Sequence, residues 1–438
     1  MIGGSGMKHI KLALVAFSIL FGFSFAIKSQ ADAIPVEILK EDGRFQLIRG
    51  GTPYVIKGAG LEFGDIDVFA SHGGNSIRTW RTDNGKSTGL EVLDDAEKHG
   101  VTVAMCIEIG RERLGFDYND EAAVAAQLEY ARKEVMKYRD HPALLVWIIG
   151  NEPNHSFKNP KVFDAINDIS KMIHELDKNH PTTTALAGFN AQLAGLIETR
   201  APDLDFVSIQ MYGDIVNLPR YIKEIGYERA YMVTEWGSIG HWEVRKTPWG
   251  APVEPNSSEK AANYLKSYQL AIASDPDQVL GSYVFYWGQK QERTPTWYGM
   301  FLEDGSKTET IDVISQIWTG EWPANRSPQI KKFLLDSRTS SKNVEIKAGK
   351  TYKASVDAYD PDGDELQYSW EIKHESQATQ EGGDPEETPE TVNGLIDHPD
   401  SDAVALTAPA ETGAYRLFVY VRDGQGNAGH ANIPFLVK

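Results

Sequence analysis

Eight short apolar runs, rich in Val, Ile and Tyr, recur along the chain and alternate with longer amphipathic segments. The runs are residues 54–60, 76–80, 101–107, 143–152, 183–188, 206–212, 230–237 and 281–288. Runs of this length and composition are typical of parallel strands that are buried on both faces. The segments between them carry apolar residues at three- and four-residue spacing, which indicates helices. Eight strand-helix units predict an α/β fold, a closed (β/α)8 barrel.

The residues around the first run argue against a second possible fold and predict what precedes the barrel. A doubly wound parallel sheet is the alternative, but VIKGAGLEFG (55–64) lacks the G-x-G-x-x-G spacing of a phosphate-binding turn. Residues 36–56 precede the barrel and predict a hairpin that turns at Asp42 and Gly43. We expect this hairpin to cover the barrel floor.

A different pattern begins near Trp322 and continues to the end of the chain. From about Ser327, apolar and polar residues alternate with a period of two in short runs separated by turns. This predicts an immunoglobulin-like β-sandwich. Between two of its strands, residues 374–394 are acidic and rich in Gly and Pro, which predicts an exposed, mobile loop. We therefore predict a barrel domain with its hairpin at 34–323 and a sandwich domain at 324–438.

The first 33 residues have the pattern of a targeting segment. An apolar run at 12–27 follows Lys8 and Lys11 and precedes the small-residue site Ala31-Asp32-Ala33. A membrane anchor needs about 20 apolar residues, and Lys28 ends this run too early. The pattern predicts a leader and signal peptide at 1–33, export to the periplasm or the medium, and no membrane attachment after cleavage.

Composition narrows the class of partner. The 438 residues include 62 acidic and 44 basic side chains, for a formal net charge of −18. A negative field of this size repels phosphate backbones, so we expect no nucleic-acid partner and favour a neutral or cationic one. The single cysteine, Cys106, lies in an apolar run and is predicted to be a buried thiol. We expect a monomer that needs no cofactor.

The spacing of His and Asp residues indicates whether the chain could bind a metal. The chain has neither an H-x-H nor an H-E-x-x-H pattern, so we predict no catalytic metal. Asp360, Asp362 and Asp364 have the spacing of calcium ligands, but Glu365 stands where an EF-hand loop needs glycine. We interpret this stretch as a plain turn.

Two glutamates end apolar runs of the predicted barrel. Glu152 follows Asn151 at the end of the fourth run, and Glu235 ends the seventh. Burial of such groups costs several kcal/mol, and the carboxyl ends of barrel strands build the binding face. Paired carboxylates at a barrel mouth are what glycoside cleavage requires, one as proton donor and one at the anomeric carbon.

At these residues the sequence resembles the clan of retaining glycoside hydrolases with (β/α)8 barrels, over roughly residues 36 to 320. The resemblance implies that Glu152 is the acid/base, that Asn151 binds the sugar 2-hydroxyl and that Glu235 is the nucleophile. It also implies that Arg78 and Tyr212 hydrogen-bond the nucleophile. Trp287 would form the aromatic floor under the sugar.

Four further side chains are candidate substrate contacts. Glu108 lies just past the third run, Trp236 lies at the end of the seventh, and His241 and Trp242 follow in a loop that is rich in aromatic residues. Aromatic faces pack against the C–H face of a pyranose, so such clusters line polysaccharide sites.

The architecture looks most like glycoside hydrolase family 158, bacterial enzymes that cut β-1,3-glucan internally. We therefore expect a retaining endo-hydrolase of a neutral β-glucan of the laminarin type. A β-1,3-glucan transglycosylase, a β-mannanase and a β-galactanase use the same two glutamates and remain open. A non-catalytic carbohydrate-binding protein is a more distant alternative.

Overall fold

Eight parallel strands close into a barrel in the computed structural model, which describes residues 1–4, 32–379 and 383–438. In chain order the barrel strands are β4 (Ile56–Gly60), β5 (Ser76–Arg78), β6 (Thr102–Ile107), β7 (Leu144–Asn151), β8 (Thr182–Ala187), β9 (Val207–Gln210), β10 (Tyr231–Glu235) and β11 (Val279–Val284). Each strand pairs with its neighbours in this order, and β11 pairs with β4 to close the ring. The predicted (β/α)8 barrel is confirmed.

Eight helices follow the barrel strands and pack around them. They are α1 (Ile66–Ser71), α2 (Gly89–Lys98), α3 (Glu121–Tyr138), α4 (Lys161–Leu176), α5 (Ala191–Arg200), α6 (Leu218–Ile225), α7 (Ser257–Ser267) and α8 (Glu309–Thr319). Side-chain caps start several of them; Thr88 and Asn256, for example, each form a capping box with the glutamate three residues later. The main core lies between these helices and the outer face of the barrel.

A small antiparallel sheet precedes the barrel. Its strands are β1 (Val36–Glu41), β2 (Arg44–Arg49) and β3 (Thr52–Pro53). The first turn is at Asp42 and Gly43, both with positive φ, as the sequence predicts. Val36 and Leu47 pack in a cluster with Phe206 and Leu280, which lie at the amino ends of barrel strands. The sheet therefore covers the barrel floor and leaves the opposite mouth open.

The C-terminal part is a sandwich of two four-stranded sheets, as predicted. The eight strands are β12 (Gln329–Leu335), β13 (Val344–Ile346), β14 (Thr351–Tyr359), β15 (Gln367–His374), β16 (Ile396–Asp397), β17 (Ala403–Thr407), β18 (Gly413–Arg422) and β19 (Ala428–Val437). One sheet has the order β12-β14-β17-β16 and the other β13-β19-β18-β15. Their facing side chains form a core of their own. Residues 32–438 nevertheless pack as one compact unit.

The predicted signal peptide lies almost wholly outside the described residues, because residues 5–31 are not among them. Within the described part of the chain, no helix is both long and apolar enough to cross a membrane.

Glu309 of α8 forms a hydrogen bond to the sandwich. From its protonation we predict an effect of pH on the free energy of unfolding. Glu309 is 7 % exposed, and its Oε1 accepts a hydrogen bond from Gln329 Nε2 at 2.7 Å. Burial raises the pKa of Glu309 from 4.5 to about 7. The folded state therefore holds this proton more tightly than the unfolded state, and its contribution to stability is lost as pH rises from about 4.5 through about 7.

We expect the Glu309→Gln variant, which stays neutral, to match the wild type in thermal stability at pH 5 and to exceed it at pH 8. Thermal denaturation at the two pH values measures the difference. Glu321→Gln is the matched control, since Glu321 is exposed just beyond α8. Equal stability of Glu309→Gln and the wild type at pH 8 would contradict the prediction.

Candidate active site

The end of β7 places Asn151 and Glu152 at the barrel mouth. Gly150 has φ +76° and Glu152 has φ +50°, so the backbone leaves regular strand geometry here. A Cβ at Gly150 would lie 2.6 Å from the Ile109 side chain, which leaves room only for glycine. The Glu152 amide still donates to the Ala185 carbonyl of β8 at 2.8 Å. The bend brings consecutive side chains, Asn151 and Glu152, into one cavity.

Glu235 ends β10 and is held by three donors. Its Oε1 accepts from Arg78 Nη1 at 2.5 Å and from Trp80 Nε1 at 2.9 Å. Its Oε2 accepts from the Tyr212 hydroxyl at 2.7 Å. The side chain is 5 % exposed and Arg78 is fully buried. Charge-assisted bonds of this kind fix an ionised carboxylate in one orientation.

The Tyr212 phenol stays protonated beside this carboxylate. Burial is the largest cause, and the Glu235 and Glu152 charges add to it, so the pKa of Tyr212 lies well above its usual value. The hydroxyl is therefore a donor to Glu235 over the physiological pH range.

Glu152 has a different electrostatic environment. Burial is the main cause that raises its pKa, and the Glu235 carboxylate adds to the effect. Arg78 and Arg111 act in the opposite direction, and the resulting pKa of Glu152 is about 7. Two carboxyl groups in one site thus differ in role, since one is paired with donors and the other holds its proton near neutral pH.

Both carboxyl groups line one cavity of about 870 Å³ at the barrel mouth. The predicted residues Asn151, Tyr212, His241 and Trp242 line it with them. Trp242 is 54 % exposed and packs edge-on against Tyr212, so it offers a free aromatic surface at the rim. Burial and the nearby Arg293 lower the pKa of His241 to about 4, so this imidazole is neutral.

Two predicted tryptophan contacts are wrong. Trp287 is fully buried among barrel and helix side chains, 5.3 Å from Phe69 and 5.9 Å from Trp318 between ring centroids. Trp236 is 1 % exposed and packs against Tyr264. Both side chains point away from the mouth into the main core. The aromatic residues of the β11 end that do line the cavity are Phe285 and Tyr286.

One other predicted contact also needs correction. Glu108 is exposed and lies outside the cavity lining. Arg78, which is fully buried, donates to Glu235 as expected, and it donates to Asn151 Oδ1 as well. Arg78 is therefore a positioning residue that orients one side chain from β7 and one from β10.

Sequence reasoning missed Trp80 and Gln210. Trp80 lies two residues after Arg78, so alternation along β5 puts both on the same side, and this spacing was a usable signal. Gln210 ends β9 and donates through Nε2 to Asn151 Oδ1 at 2.8 Å. Asn151 Oδ1 thus accepts from side chains of two strands, β5 and β9.

Two groups of side chains within residues 32–379 and 383–438 lie close enough to share a cation. They are Asp94, Glu97 and His141 on the barrel exterior, and Asp360, Asp364 and Asp423 on the sandwich. Neither group lines the cavity. Asp360 Oδ1 accepts backbone N–H groups of residues 362, 363 and 364, an arrangement that fits the plain turn.

Comparisons with known proteins agree with this site. Residues 64–237 match the family model of the glycosyl hydrolases family 2 TIM barrel domain, a range that includes both glutamates. Over 126 residues the chain is 28% identical to a probable mannan endo-1,4-beta-mannosidase A-2 of Aspergillus terreus, covering 28% of this chain and 30% of that protein. Over 220 residues it is 26% identical to mannan endo-1,4-beta-mannosidase A of Aspergillus aculeatus, covering 42% and 56%.

The fold also matches a solved structure. The chain is similar to Bacteroides uniformis beta-glucuronidase 2 covalently bound to cyclophellitol-6-carboxylate aziridine, with a TM-score of 0.51 and 12% identity over 92% of this chain and 48% of that one. This likeness concerns the fold alone. The chain spans between about a third and about half of the length of these relatives. Over residues 64–237, the barrel is similar to the glycosyl hydrolases family 2 TIM barrel domain.

Proposed function

We propose that the protein is a retaining β-glycoside hydrolase in which Glu235 is the nucleophile and Glu152 is the acid/base. The observation that carries the proposal is the contrast between the two carboxyl groups in one cavity. Glu235 accepts three hydrogen bonds, whereas burial and the Glu235 charge raise the pKa of Glu152 to about 7. An acid/base has to hold a proton at working pH, and a nucleophile has to be ionised.

The reaction proceeds in two displacements. Glu152 protonates the glycosidic oxygen while a Glu235 oxygen attacks the anomeric carbon, so the glycosidic bond breaks and a glycosyl ester forms. Glu152, now a carboxylate, takes a proton from water, which attacks the ester and releases the sugar and Glu235. Arg78, Trp80 and Tyr212 hold the nucleophile in place throughout.

The substrate we propose is a neutral β-linked glycan. Both curated relatives are named as mannan endo-1,4-beta-mannosidases, which makes a β-1,4-mannan the first candidate. The sequence resemblance favours a β-1,3-glucan, which is the second candidate. Internal cleavage of a polymer needs a cleft that is open at both ends, and residues of the sandwich form part of the wall of this cavity.

Product analysis tests the proposal. The mature protein is incubated with β-1,4-mannan, β-1,3-glucan, β-galactan and the matching oligosaccharides, with Glu152→Gln as the inactive control. Release of sugars by the wild type alone supports hydrolysis and identifies the linkage, and products longer than the substrate indicate transglycosylation. Binding without cleavage on every substrate would instead support a carbohydrate-binding protein.

The raised pKa of Glu152 predicts a specific pH profile. The protonated form is the active one, so kcat/KM falls as pH rises through about 7. Arg111 lines the cavity and lowers the pKa of Glu152, so Arg111→Gln is expected to move this alkaline limb to higher pH. Lys133→Gln, on the exposed face of α3, is the charge-matched control and leaves the limb in place. A limb unmoved by Arg111→Gln would contradict the assignment.

Export and a monomeric state are parts of the same proposal that follow from the sequence. The amino-terminal sequence of the mature protein tests cleavage near Ala33, and sedimentation tests the oligomeric state.

A further inference from the structure

A segment of the sandwich reaches the barrel mouth. Residues 383–386, here named the strap, belong to the long acidic segment between β15 and β16. Gly383, Asp384 and Pro385 line the same cavity as the two glutamates. The segment that the sequence predicts to be a mobile loop thus supplies part of the active-site wall.

The strap is attached to two barrel loops. Asp384 forms a two-pronged ion pair with Arg113 of the loop after β6, at 2.8 and 3.0 Å. Two further hydrogen bonds join the strap to the barrel: Glu386 at its end accepts the Arg293 backbone N–H at 2.9 Å, and Gly383 at its start accepts from Lys290 Nζ at 3.2 Å. Both of these cationic residues lie in the loop after β11. The Arg113 and Asp384 side chains are only 14 % and 28 % exposed, so solvent weakens their pairing less than on an open surface.

The base of the segment is fixed as well. Glu375 is 6 % exposed and pairs with Arg416 of β18 at 2.6 Å. The Arg416 guanidinium also donates to the Pro252 carbonyl of the loop after β10, at 2.8 Å. The strap therefore leaves a rigid part of the sandwich that is itself bound to the barrel.

The strand order of the barrel shows what the strap crosses. Strands β4 and β5 lie between β11 and β6, so a segment joined to the loops after β11 and β6 passes across the β4 and β5 side of the mouth. The loops after β4 and β5 contribute Glu62, Phe63, Trp80 and Arg81 to the cavity. The opposite side of the mouth, after β8 and β9, is lined by barrel residues alone.

We propose that the strap closes the cleft on the β4 and β5 side, so that the active site accepts the end of a glycan chain and releases one short product. This inference rests on the proposed function. A polymer cannot continue past a wall held by an ion pair and backbone hydrogen bonds, whereas a terminal sugar fits against it. The cavity of about 870 Å³ lies within the range of small-ligand sites, roughly 300 to 1,000 Å³.

The polar groups of the strap suit a chain end. A terminal sugar has a free hydroxyl group where an internal sugar has a glycosidic bond. Buried polar side chains that hydrogen-bond this hydroxyl disfavour a substrate that lacks it. Asp384 lines this wall with its carboxylate oriented by Arg113, and Arg111 lines the same cavity. Asp384 is thereby assigned as a specificity-determining residue.

The test compares product sizes from a hexasaccharide and from its parent polymer, in the linkage that the wild type cleaves. The wild type is expected to release one short product size from the start of the reaction. Asp384→Ala combined with Glu386→Ala removes the two side-chain attachments of the strap and leaves the Lys290 hydrogen bond to the Gly383 carbonyl. This variant is expected to yield intermediate sizes and to raise the polymer-to-hexasaccharide ratio of kcat/KM by at least about tenfold. Glu387→Ala, an exposed acid in the same segment, is the matched control and leaves the ratio unchanged.

In a second variant, residues 383–387 are replaced by two glycines, which removes the strap itself. This variant is needed because the strap could keep its position after the side-chain substitutions. A wild type that releases a ladder of intermediate sizes at early times would overturn the inference. The inference would also be overturned if the shortened variant gave the wild-type product profile while thermal denaturation showed that it is folded. Absence of cleavage by the wild type on every glycan would overturn the proposed function, a result distinct from cleavage with an unaltered profile.

Discussion

Replacement of Glu235 by glutamine is expected to lower kcat by about 10⁴-fold or more while the protein stays folded. Glutamine keeps the volume and the acceptor oxygen, but it cannot form the glycosyl ester that the double displacement requires. The glutamine NH2 group is also a donor, and it would face side chains that are themselves donors: Arg78, Trp80 and Tyr212. Steady-state kinetics measure the loss, and thermal denaturation confirms folding.

Glu228→Gln is the matched control for this experiment, because Glu228 is exposed and lies just before the same strand. It is expected to retain wild-type kcat. A Glu235→Gln variant with kcat within about tenfold of the wild type would refute the nucleophile assignment.

Reaction with azide distinguishes the nucleophile from the acid/base when the two alanine variants are given the same substrate. In Glu152→Ala, azide attacks the glycosyl ester on Glu235 and gives a glycosyl azide with the anomeric configuration of the substrate. In Glu235→Ala, azide attacks the substrate directly and gives the opposite configuration. The reverse pattern of products would exchange the two roles.

The barrel was predictable from sequence because its strands are buried on both faces. Such strands read as continuous Val- and Ile-rich runs, and the eight runs coincide with β4 to β11. The helices between them carry their apolar residues at helical spacing, and their caps are local signals. The alternation of the sandwich strands was equally visible, since each of its sheets has one face in the core.

The two glutamates were predictable for a related reason. An ionisable group at the end of an apolar strand has to serve a purpose, since its burial is costly. The aromatic contacts were less predictable, because a residue just past a strand end can turn either to the mouth or to the helix layer. Trp236 and Trp287 turn to the helix layer, where Tyr264 and Trp318 are their neighbours.

The strap was not predictable from composition. Its acidic, Gly- and Pro-rich sequence favours exposure when it is considered alone. Its partners, Arg113 and Arg293, lie 271 and 93 residues away in the chain and belong to two separate barrel loops. Only the folded arrangement of barrel and sandwich brings these charges together.

Replacement of Lys260 by methionine is expected to lower the free energy of unfolding by about 3 to 5 kcal/mol. Lys260 lies on α7, is 3 % exposed, and donates to Glu254 Oε1 at 2.5 Å and to the Thr296 carbonyl at 2.5 Å. Its loss leaves the Glu254 carboxylate buried without a cation. Equilibrium denaturation at pH 7 measures the change, with Lys266→Met, on the exposed face of the same helix, as control.

The electrostatics of Glu254 support this large effect. Burial alone would raise the pKa of Glu254, but the Lys260 charge and the hydrogen bonds from Lys260 and Thr294 help to offset it, and the pKa is about 2. Asn432 of β19 also donates to Glu254 Oε2, at 2.5 Å. The ion pair is thus part of the contact between the barrel and the sandwich.

A double variant distinguishes a buried ion pair from a simple loss of packing. Glu254→Gln combined with Lys260→Met removes both charges and keeps an acceptor for Asn432, so it is expected to be more stable than Lys260→Met alone. If packing were the whole cause, the second substitution would add its own loss. Because Glu254 lies in the loop that also carries His241 and Trp242, the single variant is further expected to raise KM, and the double variant to restore part of it. The contact with the sandwich thereby supports the rim of the active site as well as the stability of the chain.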